Sequence, residues 1–498
     1  MVLKNRSGEQ FPRRSRRLLR SLALGVLTLS ALSATVVIWA QNQATDPGVR
    51  GTAWCTTCAN GAGGFQSTLT FQEKQSEPAA TTQFKMTSTV TCKSDGSNVT
   101  GCGLGPRFNS NSCSSCHSQP AAGGTSPFTN PLFQIYQSDG VDSFNNTMPS
   151  FETASGPVLV PRLPASSGGN GLVQQLFTIA GTSYPGCNIQ QPNFAGETGV
   201  VYRQPLPTFG DGYIDFIENK DILNVLNSNL PLKNSLGIIG MASMNGDDGS
   251  VNRFGWKAQW RAILPVIGAE EQVEEGITNE MFPTEVDQTA NCNVNPVPED
   301  PTNYSFYGSS MTPWLFLADA ERDAIFVRFL ATPIPATTTY GSLGCPGGNL
   351  SSCSNGAVEF NSIGCALCHN PAYTTPPGSI PSQGHTKLML YSDLLLHHMG
   401  SCLADNISQG SAQGDMFRTP PLWNIGQRIW FLHDARTSDI VQAIEDHADG
   451  EQQTGCTGVG SYPGSEANQV VANFINLANV TGVDGTAQQD LINFLRSL

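Results

Sequence analysis

Two short strings carry the most specific chemistry in the chain: CSSCH at residues 113–117 and CALCH at 365–369. Each offers two thiols three positions apart and an imidazole directly after the second. In an exported chain this spacing reads as a porphyrin attachment site. Cys113 and Cys116, or Cys365 and Cys368, would take the two vinyl groups, and His117 or His369 falls where it can ligate the iron. With 14 Cys and 7 His in 498 residues, chance supplies one such string in roughly one chain in two hundred. Two together point to two covalently bound haem c groups. The competing reading is a pair of redox CxxC motifs or of zinc half-sites. The strings start 252 positions apart, which suggests one haem per domain.

A further inward-pointing imidazole can be read from periodicity. Ile440, Val441, Ile444, His447 and Ala448 fall at helical spacing on one face, so a His on that apolar stripe points inward. The competing reading is a core histidine or a helix C-terminal charge. His385 follows a Gly/Pro/Ser loop and reads as exposed. Outside the two strings ten cysteines remain, enough for five disulfides in an oxidising compartment. Cys55–Cys58, Cys92–Cys102 and Cys345–Cys353 are the near-neighbour pairs, though spacing alone does not fix connectivity.

The elements that must position these groups are interrupted and loop-rich. Arg13, Arg14, Arg16, Arg17 and Arg20 precede an uncharged apolar run from Leu22 to Trp39, and Ala40 precedes a polar stretch. This predicts a signal peptide over 1–40 and a periplasmic or otherwise exported protein, with an uncleaved anchor as the alternative. No later segment predicts a membrane span. The formal charge is −14; residues 1–40 hold seven Lys/Arg and one Glu, so their removal leaves 19 basic and 39 acidic residues, or −20. Such a surface repels phosphate backbones and excludes a nucleic-acid partner. The 24 Phe and 7 Trp exclude a disordered polyelectrolyte. Residues 41–95 read as strands and loops outside any haem core, and 120–250 as long loops with short elements. The pattern predicts a helix over 253–277 with a break or kink at Pro265, another over 312–332, and one over 438–450 capped by Ser438. A last helix closes the chain.

Four stretches resemble the di-haem c-type oxidoreductase family, whose members are often named thiol oxidoreductases or peroxidases. They are GPRFNSNSCSSCHSQPAAGG, NRFGWKA, MLYSDLLLHHMGSCLAD and FRTPPLWNIGQRIWFLHDARTSDIVQAIEDHADGE. The family is similar in turn to bacterial di-haem cytochrome c peroxidases, to MauG-type enzymes and, more distantly, to haem-c rubber oxygenases. The resemblance covers residues 100–498. It implies that Trp256 lies between the haems and relays electrons, with Trp260 able to share its face. It also implies that His447 stands where peroxidases carry a ligating Met, fourteen residues after the His represented by His433. A His/His haem has a lower potential than a His/Met one. His433 would orient a propionate or brace the ligands. His397 would do the same or reach an iron, with Met399 a weaker ligand candidate, and His398 reads as a surface residue. The Gln and Glu that serve peroxidases ten and twenty residues after the tryptophan are replaced by Val266 and Gly276. Glu270, Glu271, Glu274 and Glu275 fall within that interval. Most read as a solvated helix face; Glu271, then Glu270, are the candidates for moving a peroxide proton.

The expected fold is mainly α: two cytochrome c-like domains with long loops and a few short strands. An N-terminal extension (41–95) precedes a first haem c domain with a loop-rich insertion (96–332) and a second haem c domain (333–498). The expected function is peroxidase-like reduction of hydrogen peroxide, with electrons passing from the second haem to a catalytic first haem. The alternatives are a haem-c oxygenase acting on an organic substrate and a di-haem electron carrier. Expected partners are a small electron-donor protein or a quinol-linked donor, together with a small-molecule oxidant. The resemblance also allows a calcium ion between the domains.

Overall fold

The computed structural model describes residues 43–58, 61–92, 101–135, 146–179, 184–195, 197, 199–302, 316–378, 380–449 and 462–498. The expected signal peptide lies outside them. Among the described residues no helix is long and apolar enough to cross a membrane.

The architecture is mainly α, with short elements joined by long loops, as 51 Gly and 32 Pro dictate. The helices that position the site are α1 (Glu77–Phe84), α2 (Cys113–Cys116), α3 (Asp211–Phe216), α4 (Ile263–Glu270), α5 (Asp319–Phe329), α6 (Leu350–Ser362), α7 (Ile440–Glu445), α8 (Asn468–Asn476) and α9 (Ala487–Ser497). Among the described residues four two-stranded antiparallel ribbons fill in between them. β1 (Arg107–Phe108) pairs with β3 (Phe177–Thr178), and β2 (Val160–Arg162) with β4 (Val201–Arg203). β5 (Tyr373–Thr374) pairs with β6 (Lys387–Leu388), and β7 (Leu396–His398) with β8 (Met416–Arg418).

Burial concentrates in three main clusters. One gathers Phe209, Tyr213, Phe254, Phe326, Leu330 and Trp423 around α3 and α5. A second gathers Phe360, Phe474, Leu491, Ile492 and Leu495 around α6, α8 and α9. A third joins Phe108, Leu132, Leu176 and Phe177 in the loop-rich region. Gly356 lets α6 approach α9 closely: a Cβ there would lie 1.9 Å from the Asp490 carbonyl oxygen. Asp490 accepts hydrogen bonds from Ser352 and Asn355 of α6. The start of the described chain is pinned to this layer. Asp46 pairs with Arg496 and accepts from the first N–H of α7.

Several local expectations are corrected. Within 41–95 the described residues form loops, as expected, and two short helices, Phe71–Lys74 and Glu77–Phe84, in place of the expected strands. Thr70 and Glu73 make a capping box, Pro78 sits in the first turn of α1, and Phe84 stacks on Phe326 at 4.1 Å. The 253–277 helix begins only at Ile263, because the backbone before it turns at Gly255 and Ala258, both at positive φ. Pro265 therefore lies in the first turn, where a missing N–H removes no bond, and it neither breaks nor kinks the helix. Trp260 consequently leaves the Trp256 face and packs edge-on to Phe282. Asp439, not Ser438, caps α7, accepting from the N–H groups of Val441 and Gln442. The helix expected over 312–332 is shorter, Asp319–Phe329 with Ala318 as its N-cap, and the final helix runs as expected behind Thr486.

Candidate active site

Each of the two Cys/His strings opens onto its own cavity. The second cavity encloses about 1370 Å³ of empty space. It is lined by Cys365, Cys368, His369, His397, Met399, His433 and His447 among mainly apolar side chains. The first encloses about 1500 Å³, with Cys113, Cys116 and His117 on its wall and Glu270, Glu271, Glu274 and Glu275 also facing it.

The residues fit a haem in each cavity on two observations. The four thiols of the strings are free. Cys55–Cys58, Cys92–Cys102, Cys187–Cys292 and Cys345–Cys353 form disulfides, and Cys402 is also disulfide-bonded. The second observation is the way the imidazoles are held. His117 Nδ1 bonds the Gly124 carbonyl at 3.0 Å, His369 Nδ1 the Tyr391 carbonyl at 3.1 Å, and His447 Nδ1 the Ala443 carbonyl at 2.6 Å. A backbone carbonyl on Nδ1 fixes the tautomer that leaves Nε2 unprotonated, as a metal-ligating imidazole requires. Burial pulls the pKa of His369 down to about 4, with His447 nearby adding to the effect. Both rings stay neutral and able to donate an electron pair.

The other histidines are held differently. His397 is clamped by carboxylates at both nitrogens, Glu466 at 2.7 Å and Asp393 at 2.9 Å. Neither nitrogen is left for an iron, which corrects that expectation. The same Glu466 accepts from the N–H groups of Ile239, Gly240 and His398, so His397 ties three loops behind Cys368. Among the described residues Cys368, Asp393 and His397 are the one group of such donors close enough to share an ion, and this pairing already occupies it. His398, expected at the surface, is half-buried and pairs with Asp415 at 2.8 Å. His433 stacks on Phe417 at 4.2 Å and meets the Trp256 ring edge-on at 6.3 Å. Burial lowers its pKa to about 4. His385 is exposed and lines neither cavity.

The four glutamates are not a solvated face. At its C-terminal end α4 widens into a π-helical turn, Glu271–Glu275, before Gly276 ends it at positive φ. This register turns Glu270, Glu271, Glu274 and Glu275 to the same cavity. Glu271 is buried and accepts from Asn279 Nδ2 at 2.9 Å. Burial drives its pKa well above the usual carboxylate range, reinforced by Asp300, Asp319, Asp323 and Glu275. Burial also pushes Glu274 and Glu275 to about 7, against hydrogen bonds from Asn109 and Ser88. Among the described residues His117 is the one imidazole lining this cavity, and no Met lines it.

Trp256 lines both cavities, as does Arg418. The Trp256 indole N–H donates to the Gln204 carbonyl at 2.9 Å. Behind it Lys257, fully buried, lies 3.8 Å above the Phe417 ring and pairs with Asp405, which also pairs with Arg203. The arginines around the cavities and the bracing Asn279 escaped the sequence reading. Arg418 sits in the quoted FRTPP stretch, so a signal was present; Asn279 carried none.

Residues 182–477 match the family described as "Di-haem oxidoreductase, putative peroxidase". The second Cys/His string lies inside that stretch and the first lies upstream of it. No curated protein and no solved structure gives a significant match. The matched stretch is more than half of the 498 residues, and the chain belongs to the di-haem oxidoreductase family, which carries two haems.

Proposed function

We propose that this chain is an exported di-haem cytochrome c peroxidase, reducing hydrogen peroxide with electrons from an external donor. The observation that carries the reading is the contrast between the cavities among the described residues: one imidazole facing six carboxyl groups, four of them glutamates at the end of α4, in the first, and the backbone-held pair His369 and His447 in the second. Cys113 and Cys116 would hold the first haem with His117 as its iron ligand. Cys365 and Cys368 would hold the second, with His369 and His447 as ligands, in two cytochrome c-like domains. When bound, the haems supply electron exchange and, in the first cavity, an iron position open to peroxide.

The chain's own residues supply the protons and the path. The Glu271 carboxyl, whose pKa burial drives well above the usual carboxylate range and which Asn279 orients, is the group placed to hold the reacting proton. It gives that proton to the departing peroxide oxygen and recovers one through the neighbouring carboxyls. Glu270 stands beside it with a raised pKa of its own, caused by burial. Peroxide plus two electrons and two protons yields two waters, so a cavity stocked with protonated carboxyls suits the stoichiometry. It does not suit insertion of oxygen into an apolar polymer. Trp256 bridges the two cavities and relays the electrons.

Replacing Glu271 by Gln keeps the Asn279 contact and removes the proton. Peroxide turnover is expected to fall about a hundred-fold or more, with both haems retained by mass. Unchanged turnover removes Glu271 from the mechanism.

A further inference from the structure

Arg418 ends β8, and its side chain reaches the wall that the two cavities share. It is fixed twice by the backbone around the tryptophan. Its N–H donates to the Trp256 carbonyl at 2.8 Å, and its Nε donates to the Gly255 carbonyl at 2.8 Å. It is 5 % exposed. Asp211 and Asp393 are the acids whose field reaches it, yet no carboxylate among the described residues lies within ion-pair distance of it, and Asp393 pairs with His397 instead. A buried guanidinium without a carboxylate is costly unless an anion meets it. Each cavity also has a cation of its own. Arg162 lines the first, with a buried Nε that has no partner. Arg428 is buried in the second, where burial lowers its pKa to about 10.

We propose that Arg418 is a shared anchor for the propionate carboxylates of both haems, and that its charge sets their two reduction potentials together. The inference rests on the placement of one haem in each cavity given above. Reduction adds an electron to each site, and a fixed cation in a low-dielectric wall favours the more negative state. Loss of that cation therefore lowers both potentials. Arg162 and Arg428, each facing one cavity, act on one potential each.

The test uses the full holoprotein in R418Q, R418M, R418K, R162Q and R428Q forms. The two neutral variants are made in parallel, so that one failing to fold leaves the other. Covalent haem is counted by mass under denaturing conditions, and both midpoint potentials are read by potentiometric titration followed optically and by EPR. The expected result is a fall of both potentials in R418Q or R418M, of the first alone in R162Q, and of the second alone in R428Q. R418K keeps the charge and should hold both potentials near the parent values even if its melting temperature drops. A neutral Arg418 variant with both haems attached that shifts one potential or neither overturns the proposal. So does an R418K protein that shifts as far as R418Q. A parent protein carrying fewer than two covalent haems contradicts the placement of the haems instead, which keeps the two failures apart.

Discussion

His369 and His447 face one cavity, and each has its Nδ1 tied to a main-chain carbonyl, Tyr391 O at 3.1 Å and Ala443 O at 2.6 Å. They lie close enough that His447 helps depress the pKa of His369. Two neutral imidazoles on the wall of one cavity would supply both iron ligands of the proposed second haem. Removing His447 in an H447A variant should leave the second haem attached through Cys365 and Cys368 but convert it from low to high spin, visible in the optical and EPR spectra. An H447M variant should stay low spin and rise in potential, because a thioether ligand favours ferrous iron. A low-spin H447A protein would point to a different ligand.

The Trp256 ring forms part of the wall between the cavities, held by one hydrogen bond to Gln204. A W256F substitution keeps the aromatic packing and gives up that bond, at about 1 kcal/mol. Electron transfer from the second haem to the first, followed after rapid partial reduction, should slow while both potentials stay at parent values. Equal rates in parent and variant would remove Trp256 from the path.

Buried carboxyls make stability depend on pH with a definite sign. Burial raises the pKa of Glu152 to about 8, with hydrogen bonds from Leu159 and Asn130 only partly opposing it. Glu285 reaches about 8 for the same first reason. In the unfolded chain a glutamate titrates near ~4.3. Between the two values the folded state holds a proton that the unfolded state has released, so stability falls as pH rises through that window. The melting temperature should decline from about pH 5 to about pH 8. An E152Q variant should show a shallower decline and exceed the parent at the upper end. A parallel profile in E152Q would mean that Glu152 titrates normally.

Cys187–Cys292 closes a loop with a sequence separation of 105, Cys345–Cys353 one of 8. Chain entropy alone gives roughly 4.7 kcal/mol for the first and roughly 2.5 kcal/mol for the second. Paired Cys→Ser replacements should therefore lower the denaturant midpoint about twice as far for the long loop. Equal losses would show that the loop-entropy account does not hold for this chain.

How much of this was legible from the sequence depended on whether a local rule governed the residue. The two Cys/His strings and the closing helix follow from spacing and capping, which are local, and the three near-neighbour disulfides were candidates on spacing that the structure pairs. That His447 turns inward, to the wall of the second cavity, was legible because a helical stripe fixes direction even when the helix is short. The glutamates were misread as solvated because charge runs usually face water, and nothing local announces a π-turn that rotates them into a cavity. The 253–277 segment was misread because apolar residues at helical spacing mask a backbone turned by Gly255 and Ala258. His397 and Glu466, 69 positions apart, meet only through the tertiary fold, and so does the Lys257–Asp405 pair. The pairing of Cys187 with Cys292 is equally long-range.

The most direct test of the central claim is low-temperature EPR of the purified diferric protein, repeated after one-electron reduction. The account predicts a high-spin ferric signal from the first haem in at least one of the two states, with a low-spin signal from the second haem that disappears when that haem is reduced. Two low-spin signals in the diferric protein, with no high-spin iron appearing after reduction, would contradict it: neither iron would be open, and the chain would be an electron carrier.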